Sequence, residues 1–359
     1  MRLDTTFQPD STYRFAPRPK TARPRYVGVQ YARAFAAIGV LLFHAAQRVG
    51  VDFAAGARGV DVFFVISGFI MWSISATSAP SPGGFLVNRA RRIVPLYWLA
   101  TLVVIAAALV GLLPRLASEL TDAHIVQSLF FIPHVAPGSG QIWPVLTPGW
   151  TLNLEMFFYV VFAAFLVLPR RRRLIALTST FVALVVMGAL FPPTAAVLKT
   201  YTSPLILEFV AGVWLAEAVR RQAVLSLPLA ALAIAGGVAG LALIPFSHPL
   251  AQALSCAVAA SAVVAGVVAF DVRRRTPSAP PLALLGDASY SIYLWHGLAV
   301  SVAAALGAKL GLTPVLTIGL GLAGGVVAGL LSYRIVEKPI EAFLAKNRRT
   351  PPNFTALSA

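Results

Sequence analysis

Cysteine is almost absent from this chain: Cys256 is the only one among 359 residues. A single thiol excludes an intrachain disulfide framework, and its place inside an apolar run gives it a structural reading. Charge is scarce too. Asp, Glu, Lys and Arg together make up 12% of the residues, about half the share of a soluble globular chain. Acidic residues are the scarcer sign, 13 against 29 Lys and Arg. Five histidines are present, and none belongs to a cluster with metal-ligand spacing. His124 and His134, ten residues apart in a loop containing Pro and Gly, support no metal site. There is also no internal repeat, which argues against an inverted-repeat transporter.

What the chain does have is apolar length. Hydrophobic residues reach 58% and the mean hydropathy is +0.79. Several runs approach or exceed the roughly 20 residues needed to cross a hydrocarbon core. The sequence predicts an all-α, polytopic integral membrane protein with about ten transmembrane helices. The expected spans are 29–48, 59–78, 93–113, 149–168, 174–191, 204–219, 227–245, 250–270, 288–307 and 314–336. The run Val126 to Pro133 is too short to cross and reads as re-entrant or interfacial. Loop 114–148 is the longest connection, and long ordered loops are often functional.

Residues 1–28 are basic and interrupted by Pro9, Pro17, Pro19 and Pro24, so they are expected to form a disordered tail without a cleavable leader. Residues 29–337 form the expected membrane domain and 338–359 a second tail. The formal charge of +16 would suggest nucleic acid in a soluble protein. In a membrane protein, clustered Lys and Arg instead mark cytoplasmic loops and attract anionic lipid, so no nucleic-acid partner is expected. With the amino terminus inside, 22 Lys and Arg fall on cytoplasmic segments and five on outer ones. That bias favours an even number of spans with both termini cytoplasmic.

The first span carries two polar residues, Arg33 and His44, separated by eleven positions. Eleven steps of 100° come within about 20° of three turns, so both share one helix face, about 16 Å apart along the axis. Taken singly, Arg33 reads as a positive-inside anchor and His44 as an interfacial side chain. Together they suggest a path with two stations. Arg89 and Arg92 begin the third span three residues apart and, with Arg33, make a cationic site suited to phosphates. Ordinary positive-inside charge is their bland reading.

Asp61, Glu155 and Glu208 are expected in the outer half of the membrane, beside His44, where ionisable groups often mark function. The alternative is that they pair with Arg48 or Arg58 and tie helices together. In the functional reading, a phosphate-bearing donor enters from the cytoplasm. A hydroxylated acceptor is held by carboxylates and deprotonated by His44. His296, mid-span in the ninth helix, is a second-tier candidate with Glu208, although a buried histidine satisfied by a neighbour is the commoner case.

Six sequence blocks then support a family resemblance. Arg33-x10-His44, Gly59-Val60-Asp61-Val62-Phe63-Phe64-Val65-Ile66-Ser67-Gly68-Phe69 and Arg89-Ala90-Arg91-Arg92-Ile93-Val94-Pro95-Leu96-Tyr97-Trp98 are the first three. Gly149-Trp150-Thr151-Leu152-Asn153-Leu154-Glu155, the block from Leu285 to His296, and Val336-Glu337-Lys338-Pro339 follow in order. Over about residues 29 to 340 the chain resembles the acyltransferase family 3 membrane proteins, most of all the exopolysaccharide-production acetyltransferases. Where many members have Asp-Gly-Leu-Arg, this chain has Gln30-Tyr31-Ala32-Arg33.

The resemblance implies ten membrane helices and acyl transfer from acyl-CoA to a glycan hydroxyl. It carries over Arg33 and His44 as essential and Arg89 with Arg92 as the paired arginine motif. The expectation is therefore a bacterial inner-membrane O-acetyltransferase, with acetyl-CoA as donor and no metal. Its acceptor is an exopolysaccharide or lipid-linked precursor. His44 is general base or transient acyl carrier, with Arg33, Asp61 and Glu155 as further catalytic candidates. Arg33, Arg89 and Arg92 hold the donor. The membrane unit is expected to stand alone, without an appended hydrolase-like domain. The competing class is a non-catalytic glycan or lipid carrier, such as a flippase component, which would not depend on acyl-CoA.

Overall fold

The computed structural model describes residues 26–78, 80–245 and 248–346. Most of the tail expected at 1–28, and the end of the tail expected at 338–359, lie outside the described residues. Within them all the regular secondary structure is helical. The first half contains α1 (Val27–Arg48), α2 (Gly59–Ser78), α3 (Pro82–Leu109), α4 (Pro114–Glu119), α5 (Asp122–Leu129), α6 (Gly149–Ala164) and α7 (Arg170–Leu190). The second half contains α8 (Ala196–Tyr201), α9 (Ile206–Arg220), α10 (Leu227–Leu243), α11 (Pro249–Val272), α12 (Pro280–Asp287), α13 (Ser289–Leu310), α14 (Pro314–Ser332) and α15 (Lys338–Lys346).

Among the described residues, nine helical segments are long and apolar enough to cross a membrane. The tenth expected span is α10, an apolar helix of 17 residues, about 25 Å long and at the short end of what can span. It packs along α11 as a hairpin. This is a multi-pass membrane protein.

Two helices outrun their expected limits for local reasons. α3 begins at Pro82, well before 93, because Ser81 caps it by accepting from the Gly84 N–H and Pro82 occupies its first position. Pro95 lies inside without ending it. Arg89, Arg91 and Arg92 are therefore helical residues, with fixed directions. At the other end of the chain, α14 runs through a π-helical turn, Tyr333–Glu337, into α15. The wider turn rotates Glu337 inward, where it is 4% exposed.

Pair contacts give the helices their relative directions. Arg33 lies against Ser289, His44 against His296 and Arg48 against Ser301, so α1 and α13 run parallel. α2 and α9 also run parallel, with Gly68 at Phe209 and Trp72 at Glu217. Their backbones touch because Gly68 and Gly212 have no side chain; a Cβ on Gly68 would run into the Phe209 carbonyl. Gly68→Ala must push α9 away, and overpacking of this kind costs about 1–3 kcal/mol. Thermal unfolding in detergent reads the loss as a lowered Tm.

The Arg220 end of α9 is tied by one buried carboxylate. Glu217 accepts from Trp72 Nε1 (3.0 Å), Arg170 Nε (2.8 Å), a terminal nitrogen of Arg220 (2.7 Å) and Arg221 Nε (2.9 Å). The Arg170 guanidinium also lies 5.2 Å from the Trp72 ring centre. At least one of the four arginines at 170–173 thus binds helices together as well as adding positive charge at this end of the bundle.

Candidate active site

α1 presents Arg33 and His44 to the same neighbour. Arg33 Nε donates to Ser289 Oγ at the start of α13 (3.1 Å), and the His44 ring stacks on His296 two turns along it (4.9 Å between centres, 29° between planes). The shared face expected from the eleven-residue spacing is therefore present, and α13 is the surface it meets.

Around Arg33 the helices leave a cavity of about 820 Å³, counting its open mouth. α1 contributes Arg33, α3 contributes Arg89 and Arg92, and α2, α6 and α13 supply the rest of the wall. The three arginines grouped from sequence thus line one space. Glu155 lines it as well, held by Ser67 Oγ (2.9 Å) and the Tyr159 hydroxyl (2.5 Å), both donating to Oε1. Arg89 neighbours Tyr159 in turn. Glu337 stands near Arg33 and Arg92, and its Oε2 accepts from Ser291 (2.6 Å). Three guanidiniums against two carboxylates leave the chamber a net cation, which suits an anionic, phosphate-bearing ligand.

This placement corrects the grouping of the acids. Glu155 does not accompany Asp61, Glu208 and His44; it sits with the arginines. α6 begins deep in the bundle, where Thr151 meets Tyr293 one turn into α13, whose first residue bonds Arg33. Thr151, Leu152, Glu155 and Tyr159 share the cavity face of α6. That face could be recognised only once the neighbours of α6 were known. Asp61 and Glu208 face each other between α2 and α9, and neither lines the cavity. They are 5% and 0% exposed. Arg58 and Cys256 are their neighbours. Arg48 bonds Ser301 instead. Cys256 is buried, as its apolar run suggested.

His296 is both satisfied and placed. It is 2% exposed, and its Nδ1 meets the Tyr293 carbonyl (2.5 Å). A carbonyl only accepts, so Nδ1 carries the proton and Nε2 keeps a lone pair. Ser67, Tyr159, Tyr293 and Glu337 were not singled out from sequence. The four-residue step from Glu155 to Tyr159 was legible as one helix face; the other three needed tertiary packing to come near.

At the far end of α3 the long loop folds back over the bundle. His124 Nδ1 lies 2.7 Å from His134 Nε2, and His134 Nδ1 lies 2.7 Å from the Ile132 carbonyl. Because that carbonyl takes the His134 proton, His124 is the donor within the pair. Ser128 joins this knot to Val145 and Tyr97. Burial, then the nearby His134, lowers the His124 pKa from its ordinary 6.5, with Glu119 opposing. The folded loop then binds fewer protons than the unfolded one, so its stability falls as pH drops below about 6.5. Trp143 fluorescence should report loosening in that range, and His124→Gln should flatten the response.

Membrane-length helices around an arginine-lined chamber, with a histidine pair further along, define a multi-pass membrane protein with a polar interior site. The chain belongs to acyltransferase family 3, whose acyltransferase domain profile matches residues 26–334. It is 46% identical over 300 residues to the exopolysaccharide production protein ExoZ of Rhizobium meliloti (strain 1021), covering 84% of this chain and 94% of that one. Acyltransferase MdmB of Streptomyces mycarofaciens is 27% identical over 379 residues, covering 92% and 95%. Peptidoglycan O-acetyltransferase OatA of Listeria monocytogenes is 26% identical over 357 residues, with 86% of this chain and 54% of OatA covered. No solved structure matches the chain.

Proposed function

We propose that this protein is an O-acetyltransferase of the bacterial inner membrane. It moves an acetyl group from acetyl-CoA to a hydroxyl of an exopolysaccharide or its lipid-linked precursor. The observation that carries the reading is the convergence of Arg33, Arg89 and Arg92 on one cavity, with His44 further along the same face of α1. The similarity to ExoZ supports the glycan acceptor. The excess of Lys and Arg on alternate loops supports an orientation with both termini, and the Arg33 end of α1, facing the cytoplasm.

In this reading the arginines hold the phosphates of the donor, and its pantetheine arm extends along α1 toward His44. The acceptor hydroxyl attacks the thioester carbonyl; a C–O bond forms and the C–S bond breaks. His44 takes the hydroxyl proton as general base, and the leaving thiolate is protonated to free CoA. His296, its tautomer fixed by the Tyr293 carbonyl, stacks on His44 and orients it. Glu155 holds Tyr159 and the neighbouring Arg89 in place around the donor. An acetyl-imidazole at His44 is the two-step form of the same chemistry. Mass spectrometry of the acid-quenched His44 peptide separates the two forms.

The test is purified protein in liposomes given acetyl-labelled CoA and extracted polysaccharide. Label in the polysaccharide is the expected result. Glycan movement across the bilayer without label would make the protein a carrier instead.

A further inference from the structure

One residue touches both the donor cavity and the histidine pair, and neither histidine lines the cavity. The Tyr293 ring lines the cavity, edge-on to the Phe63 ring at 5.9 Å. The same ring meets His296 at 5.6 Å between ring centres. Its hydroxyl is anchored to the start of α6, bonding Thr151 Oγ1 (2.9 Å) and reaching the Pro148 carbonyl (3.3 Å). Thr151 itself donates to that carbonyl at 3.0 Å. Tyr293 is thus packed from α2, bonded to α6 and seated on α13. Pro148 ends the long loop, and α6 goes on to carry Glu155.

We propose that Tyr293, backed by Phe63, is a partition between the donor chamber and the histidine station. By its position it directs the acetyl group to the acceptor hydroxyl rather than to water. The inference rests on the acetyl-transfer reading above. A base that activates a sugar hydroxyl activates water as well, and His44 is only partly buried. In the wasteful reaction, a water oxygen attacks the thioester carbonyl. A C–O bond forms, the C–S bond breaks, and the water proton passes to the imidazole and then to the leaving thiolate. The products are acetate and CoA. A ring fixed across the route keeps the activated water and the thioester apart. An acceptor arriving from the loop side competes for the Thr151 and Pro148 partners of the Tyr293 hydroxyl. Opening is thereby tied to the presence of an acceptor.

The experiment measures two rates in liposomes from acetyl-labelled CoA: label transferred to polysaccharide, and acetate released without polysaccharide. Tyr293→Ala removes the partition, and acceptor-free hydrolysis should rise at least about tenfold while the transfer-to-hydrolysis ratio falls. Tyr293→Phe keeps the ring and loses only the anchor, so hydrolysis should rise about fivefold, the bias one hydrogen bond contributes. CoA binding and a single size-exclusion peak establish folding for both variants. Transfer and hydrolysis lost in proportion would make Tyr293 a support for His296 and overturn the proposal, as would an unchanged ratio. A wild-type protein that turns over no acetyl-CoA overturns the transfer reading itself, and the partition with it. That result is distinct from an active wild type whose Tyr293 variants keep its ratio.

Discussion

If the proposed transfer runs through His44, His44→Ala should abolish acetyl transfer while CoA binding stays near wild type. A positioned general base contributes about 10²- to 10⁴-fold, and no second group replaces it. His296 keeps a basic Nε2 but is only 2% exposed, too enclosed to receive an acceptor hydroxyl. Glu155 lines the arginine chamber, which neither histidine lines. The protein should still fold, because His44 is only partly buried and its ring contacts are with Phe43 and His296. The checks are label transfer in liposomes and, separately, CoA affinity by calorimetry. Polysaccharide acetylation near the wild-type level in the His44→Ala protein would remove His44 from the chemistry.

The arginines should fail in the opposite way. In the proposed donor site, replacing Arg33, Arg89 or Arg92 by Ala should remove a charge-assisted hydrogen bond to a phosphate, worth about 1.5–3 kcal/mol. At 1.4 kcal/mol per decade this weakens CoA binding about 10- to 150-fold. Removing two together should nearly eliminate binding, although neighbouring charges do not add simply. Lysine restores part of the affinity, since it returns the charge without the planar fork. Arg33 carries a further penalty. Its loss leaves Ser289 Oγ without its donor and takes a cation from beside Glu155 and Glu337. A Kd for CoA unchanged across all three alanine variants would leave these residues as topology signals alone.

Much of this architecture is decided by composition and periodicity. A bilayer forces every backbone polar group into internal hydrogen bonds, so an apolar run of sufficient length has little choice but helix. That is why the spans, the loop at 114–148 and the pairing of Arg33 with His44 on one face were readable without coordinates. α3 starts at Pro82 and not at the expected 93, because hydropathy stops at the first arginine while the helix does not. The Ser81 cap and Pro82 begin the helix earlier, and a cavity wall gives those arginines a place to be.

The site divides along the same line. Arg33 and His44 are coupled by the helix they share, and Arg89 and Arg92 by theirs, so sequence alone groups each pair. Which carboxylates join them is a different matter, because that depends on how α2, α6 and α9 rotate about their own axes as they pack. Close glycine contacts at Gly68 and Gly212 join α2 to α9, and Asp61 and Glu208 meet between those two helices. The cavity face of α6 carries Glu155 to the arginines. Tyr293, Ser67 and Glu337 come from three further points in the chain and reach the site only through tertiary contacts. A sequence sets what lies on each helix face. Which faces meet is settled by the packing of all the helices together.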